Sequence, residues 1–260
     1  MIDKILTRRD GAVLTLTLHN PRLRNALDRE MADALRDQIE RCGDETRVIV
    51  LGGAGGAFCS GADLTVLVGR ETPADPDQII RVLTEGYHPL LRAIRAAPCP
   101  VIAAVDGSAA GIGCDLALAC DLRLVSERAQ FAELFINVGL VPDGGGTWTL
   151  PRLIGLGRAL ELMYTGAAVA AAEAVQIGLA NRVLANADFA AEVAAFAQRL
   201  AAQAPNSLRR IRQAVYAAQE LTFEQALAEE ARHQLAIFHH PDGFEGFRAF
   251  LEKRAPVWTG

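Results

Sequence analysis

The feature that most constrains this chain is a repeated passage from a short apolar run, through a glycine-bearing turn, into a helical pattern. Residues 101–105 (VIAAV) are apolar throughout, GSAAGIG follows at 107–113, 114–119 are helical in character, and 122–125 again read as a strand. Strand, turn, helix and strand in that rhythm require a mostly parallel sheet with helices packed on it, an α/β fold. Earlier, 13–18 (VLTLTL) alternates with the strand period and stops at Asn20-Pro21. Residues 48–51 form a buried-strand pattern ended by GGAGG at 52–56. Asp28 is placed to cap a helix whose apolar positions are Met31, Ala34, Leu35 and Ile39. The segment 70–78 (RETPADPDQ) reads as a surface loop, 79–96 as a helix. Beyond Gly157 the chain is alanine-rich and helical, and AAQAPNS at 201–207 breaks the run. That break divides a core, 1–203, from a helical region, 204–260. Thr222 to Gln225 and Asp242 to Glu245 both have capping-box spacing.

Composition removes several classes of function. A chain of 260 residues can bury a sizeable core, and its net charge of −5 offers no basic footprint, so nucleic acid is not an expected partner. Arg209, Arg210 and Arg212 lie on a helical pattern and read as a solvated face. The longest apolar stretch, 101–120, is interrupted by Asp106, Ser108, Asp115 and three glycines, so no membrane span is expected. Five cysteines, none in CxxC spacing, read as reduced thiols of a cytoplasmic protein. There is no HExxH or acidic cluster, and neither His233 nor the His239-His240 pair argues for a ligand set, so no metal is expected.

Three segments can carry chemistry. Phe58 to Leu64 and Gly107 to Gly113 are turns of small residues that allow backbone to approach a ligand. If they converge, their free N–H groups form an oxyanion hole; on generic physics alone, two tight crossovers explain them as well. Neither matches a nucleotide-binding or serine-nucleophile motif. The third, 139–147 (GLVPDGGGT), sets Asp143 on a glycine loop, as a base, a nucleophile or a plain turn residue. Asp115 either shares that site or caps a helix. Phe244, Phe247 and Phe250 have the spacing of a packing stripe.

In order, NPRLRNALDREM (20–31), AFCSGADL (57–64), PVIAAVDGSAAGIGCDLALACDLRL (100–124), GLVPDGGGTWTLPRLIG (139–155), GLANRV (178–183) and EGFRAFLEKR (245–254) resemble the crotonase, or enoyl-CoA hydratase/isomerase, family over nearly the whole chain. The closest likeness is to its ring-opening epoxyphenylacetyl-CoA isomerase-like members. The resemblance implies a spiral of ββα units followed by a C-terminal helical trimerisation region. It implies homotrimers or dimers of trimers, and acyl-CoA thioester substrates, with no permanently bound cofactor because coenzyme A enters as part of the substrate. It places the oxyanion hole on the backbone N–H groups of Ala62 and Ile112. It places coenzyme A contacts at Arg22, Arg24 and Ala26, at Ser60, Asp63 and Leu64, and at Lys253. Hydratases of the family use two glutamates. Their positions fall on Asp115, shorter by one methylene, and on Phe135, a pocket-wall residue that cannot move a proton. Asp143 matches the acid of several isomerases. The expectation is an acyl-CoA isomerase with Asp143 as base and Asp115 assisting or orienting it. The stretch 65–85 and the wall near Phe135 are expected to select the acyl group. The alternatives are a hydratase with a reduced acid set, a dehalogenase or hydrolase with Asp143 as nucleophile, and a non-catalytic binding protein.

Overall fold

The computed structural model describes residues 4–64 and 75–260. Its strands, in chain order, are β1 (Ile5–Asp10), β2 (Val13–Leu18), β3 (Val48–Gly53), β4 (Val101–Val105), β5 (Ser108–Ala110), β6 (Leu122–Ser126), β7 (Gln130–Ala132), β8 (Val169–Ala170) and β9 (Arg182–Leu184). The large sheet has the order β1-β2-β3-β4-β6-β9, antiparallel between β1 and β2 and parallel from there on. A smaller sheet runs β5-β7-β8. The chain therefore passes twice from a strand of the large sheet to a strand of the small one and then into helical structure. The first pass is β4, β5 and helix Ile112–Ala119; the second is β6, β7 and the 3-10 turn Leu134–Val138. These are successive ββα turns of a spiral.

Alternation in β2 sorts its side chains between two layers. Leu14, Leu16 and Leu18 enter the larger core with Met31, Leu35 and Ile39 of helix Arg29–Glu40 and with Leu90 and Ile94 of helix His88–Ala96. Val13 faces the other way and packs with Val48, Ile102, Phe189 and Val193 beneath helix Phe189–Ala201. Asp28 caps its helix as expected, accepting the Met31 N–H at 2.8 Å. The five cysteines are buried free thiols. None of the described helices is long and apolar enough to cross a membrane.

Three local expectations need correction. Helical structure begins at Pro76, not Ile79, because Asp75 accepts the Asp77 N–H and starts Pro76–Arg81; a π-helical turn, Val82–Tyr87, then leads into His88–Ala96. The rest of the expected loop, 70–74, lies outside the described residues. Arg212 is not on a solvated face but buried. Its guanidinium pairs with Asp121 (2.8 Å) and donates to the carbonyls of Ile94, Arg95 and Ala97 at the C-terminal end of His88–Ala96, where helix carbonyls run short of intrahelical donors. Asp242 does not cap the helix Glu245–Glu252, because its carboxylate is taken by the N–H and hydroxyl of Thr259. Thr222 and Gln225 do form a capping box, at the start of Phe223–Phe238. The aromatic stripe is partly realised: Phe244 and Phe247 stack with Phe238, whereas Phe250 is exposed.

Asn25 holds together the turn before the first helix. It adopts the left-handed region (φ 60°) and is fully buried. Its amide donates to the carbonyls of Ala54 and Ala57 and accepts the Asn20 N–H. Asn25→Ala strands these buried groups and puts alanine at positive φ, which costs roughly 3 kcal/mol. Denaturant unfolding measures the loss.

Candidate active site

The two small-residue turns meet. Leu27 and Ala62 form a parallel bridge in which Leu27 N–H donates to Gly61 O and Asp63 N–H donates to Leu27 O. That pairing uses the groups on either side of Ala62 and turns the Ala62 N–H away from Leu27. Cys59 bridges Ala109, with Ala110 N–H donating to Cys59 O at 3.0 Å. Gly113 permits the approach, since a β-carbon there would clash with Cys59. Gly111, at φ 52°, turns the chain into helix Ile112–Ala119 and is itself held by Ala132 O at 2.8 Å. Ile112 is the first residue of that helix, so its N–H has no intrahelical acceptor. Ala62 and Ile112 are thus presented by two turns fastened to each other.

The proposed coenzyme A segments adjoin these turns. Ser60 Oγ donates to Leu23 O at 2.9 Å and Ser60 N–H to Arg24 O at 3.0 Å. Arg24, itself at φ 51°, donates to Ser108 Oγ at 2.7 Å. Ala26 and Asp63 are buried, whereas Arg22, Arg24 and Leu64 are exposed. Lys253 stands apart, at the exposed end of Glu245–Glu252, and no described hydrogen bond or ion pair links it to 22–26 or 60–64. Residues 65–74, expected to help shape the acyl pocket, lie outside the described residues.

Asp115 and Asp143 line one cavity of about 440 Å³, together with His88, Arg92, Arg95 and Trp148. A second, more apolar cavity of about 470 Å³ shares Arg95, Trp148 and Thr149 with it; its acid, Asp121, is committed to Arg212. Asp143 is half-buried, and its Oδ1 is buried without a hydrogen-bond partner. Burial raises its pKa, opposed by the neighbouring His88. His88 Nε2 lies 2.8 Å from the Asp143 carbonyl, so the ring holds the loop by its main chain and leaves the carboxylate free.

Asp115 is 1% exposed, and its Oδ2 accepts the Gly144 N–H at 3.1 Å. It therefore braces the loop one residue beyond Asp143. Gly144 has to be glycine, because a β-carbon would clash with Ile112 and Asp115. Burial raises the Asp115 pKa well above the usual carboxylate range, and the nearby Glu133 and Asp143 add to the rise. Phe135 is buried, and its ring tip would lie 3.9 Å from a β-carbon at Gly111, immediately before the Ile112 N–H. An aromatic edge, not an acid, flanks that turn.

Two groups escaped the sequence reading. His88 precedes a proline in a helical pattern and carries no motif. Glu133, 2% exposed, carries no motif, although a glutamate set among Phe131, Ala132, Leu134 and Phe135 is itself a signal. Burial pushes Glu133 up to about 7; the Cys114 thiol pulls the other way and the Asp143 charge adds to the rise. Among the described residues no group of three His, Cys, Asp or Glu side chains is arranged to hold a metal.

Residues 8–260 match the family model described as enoyl-CoA hydratase/isomerase. The chain belongs to that family. Within the enoyl-CoA hydratase/isomerase family it is 37% identical to the 1,2-epoxyphenylacetyl-CoA isomerase of Escherichia coli, over the full length of both chains. It superposes on the crystal structure of an enoyl-CoA hydratase from Bacillus anthracis with a TM-score of 0.94 at 32% identity, covering 99% of this chain and 100% of that one. On the enoyl-CoA hydratase of Polaromonas sp. JS666 the TM-score is 0.92 at 39% identity, covering 98% and 99%. The spiral of ββα turns followed by C-terminal helices is this family's fold, and acyl-CoA chemistry is its function. Relatives named for hydration and for isomerisation are both present.

Proposed function

We propose that the protein is an acyl-CoA isomerase that moves a proton on a thioester enolate, with simple hydration disfavoured. The observation that carries this reading is the free Asp143 carboxylate in the cavity, on a loop braced by Asp115 and His88, beside an oxyanion turn flanked by Phe135 rather than an acid. In this reading the Ala62 and Ile112 N–H groups hold the thioester oxygen. Asp143 removes a proton from the acyl chain, the electron pair moves into the carbonyl as an enolate, and the proton returns at another carbon. Coenzyme A enters as the thioester part of the substrate and lies along Arg22, Arg24, Ala26, Ser60, Asp63 and Leu64. Lys253 reaches it in the assembled trimer or dimer of trimers, which the exposed Phe223, Phe247 and Phe250 of the C-terminal helices support.

The reading is tested by incubating a 2-enoyl-, a 3-enoyl- and an epoxyphenylacetyl-CoA with the enzyme and weighing the products. An isomer of unchanged mass is expected; a product heavier by one water as the main species overturns the reading. Phe135→Glu restores an acid beside the hole. It is expected to add a measurable hydration product while lowering the isomerase rate, and mass spectrometry of the products checks this.

A further inference from the structure

The cavity that holds Asp143 carries positive charge that the reaction above does not use. Arg92 and Arg95 both line it, and among the described residues neither guanidinium has a hydrogen bond or an ion pair. Arginines elsewhere are matched: Arg29 and Arg36 meet Asp33, Arg128 meets Asp106, and Arg212 meets Asp121. The acids of the cavity do not match these two. Asp115 is buried, with Oδ2 taken by the Gly144 N–H. Asp143 sits at the far end of the wall, where His88 holds its carbonyl. His88, Arg92 and Arg95 form one stripe along the helix His88–Ala96. Arg92 and Arg95 therefore stand roughly 6 Å and 10 Å along the axis from His88. Arg95 is also held in place. Its guanidinium lies 4.6 Å from the ring centroid of Trp148 and 4.4 Å from that of Tyr216. Stacked on aromatic faces, the planar cation keeps its N–H edge for an acceptor. Arg152 covers the same Trp148 ring at 4.0 Å, so two cations share one ring, and an anion at that edge offsets their repulsion. The proposed coenzyme A segments, 22–26 and 60–64, do not line this cavity, so the acyl chain has to bring the anion.

We propose that the acyl chain of the substrate ends in a carboxylate, which Arg92 and Arg95 bind while Asp143 works on the carbons nearer the thioester. This rests on the isomerase reading, in which the acyl group enters the Asp143 cavity. The substrate is then the mono-CoA thioester of a dicarboxylic acid. Its free carboxylate takes no part in the proton transfer. It fixes the far end of the chain, so that the carbon to be deprotonated stays at Asp143. The positions of the two arginines along the helix suit chains of about six to eight carbons, at an extended reach of roughly 1.2 Å per bond.

Binding tests this without turnover. Calorimetry compares the mono-CoA thioesters of hexanedioic and octanedioic acid, both saturated and unreactive, with the same thioesters carrying a methyl ester at the far end. The wild type is expected to bind at least one free acid about tenfold more tightly than its methyl ester. Arg92→Gln with Arg95→Gln is expected to bring that ratio close to one. Arg95→Lys keeps the charge without the fork and is expected to retain part of the preference. Arg92 is exposed, so Arg92→Gln alone, with a smaller fall in the ratio, keeps the test open if loss of the Arg95 stack unfolds the protein. Kinetics on the corresponding 3-enedioyl-CoA substrates and their methyl esters should show the same preference in kcat/KM, carried by KM. A structural role for the arginines lowers acid and ester alike and leaves the ratio unmoved, which overturns the proposal. Equal binding of acid and ester by the wild type overturns it too. So does a loss common to both probes that vanishes with dephospho-coenzyme A thioesters, since it would assign the arginines to a coenzyme A phosphate. Failure of the isomerase reading, seen as hydration of the unsaturated substrates, leaves the binding ratio in place.

Discussion

Asp143→Asn is expected to lower kcat roughly 100- to 10,000-fold, the usual contribution of a positioned acid–base group, while a CoA ester still binds. Asparagine keeps the size of the side chain but cannot accept the proton. The loop should hold its place, because His88 and Asp115 grip it through the Asp143 carbonyl and the Gly144 N–H, not through the Asp143 side chain. The change therefore separates chemistry from architecture. Steady-state kinetics on the best substrate of the panel, with calorimetric binding of an unreactive acyl-CoA as control, gives both numbers. A rate within threefold of wild type would remove Asp143 from the mechanism.

The second large effect concerns a backbone atom. Ile112→Pro deletes one of the two N–H groups assigned to the thioester oxygen. Few positions permit such an experiment, but the first turn of a helix does: the N–H there has no intrahelical acceptor, and proline suits the first position. Ile112 occupies it, after a glycine that already sits outside the ordinary helical region. Loss of one oxyanion donor typically costs roughly 100- to 1,000-fold in kcat, and that is the expected loss here. Circular dichroism and CoA-ester binding close to wild type establish that the fold persists. A proline variant that folds and turns over normally would place the thioester oxygen elsewhere.

Much of this site was legible because it is made of backbone and glycine. Gly113 and Gly144 are required where β-carbons would collide and Gly111 where φ is positive, and such requirements leave dense sequence motifs around Ala62, Ile112 and Asp143. The α/β class was legible for a related reason, while the ββα spiral came only with the family resemblance. Strands buried on both faces, such as β3 and β4, read as uninterrupted apolar runs. What escaped depends on long-range packing. Arg212 shares a helix with Arg209 and Arg210, and nothing local shows that it alone meets the carbonyl end of a helix more than a hundred residues earlier. Glu133 looks like a strand-end residue until the fold brings Asp115 beside it. His88 acts on a main-chain carbonyl 55 residues away, a contact that leaves no residue-type pattern. Asp242 had the spacing of a cap but found stronger donors in the returning C-terminus.

The central claim is that Asp143 shuttles a proton on an acyl-CoA without adding water. It is tested most directly by running wild type and Asp143→Asn side by side on a 3-enoyl-CoA in D₂O and following substrate and product by mass spectrometry. The account predicts a 2-enoyl product from the wild type, deuterated where the base exchanges with solvent and otherwise unchanged in mass, and almost no conversion or exchange by the variant. A hydrated product, or equal deuterium uptake by both proteins, would contradict it.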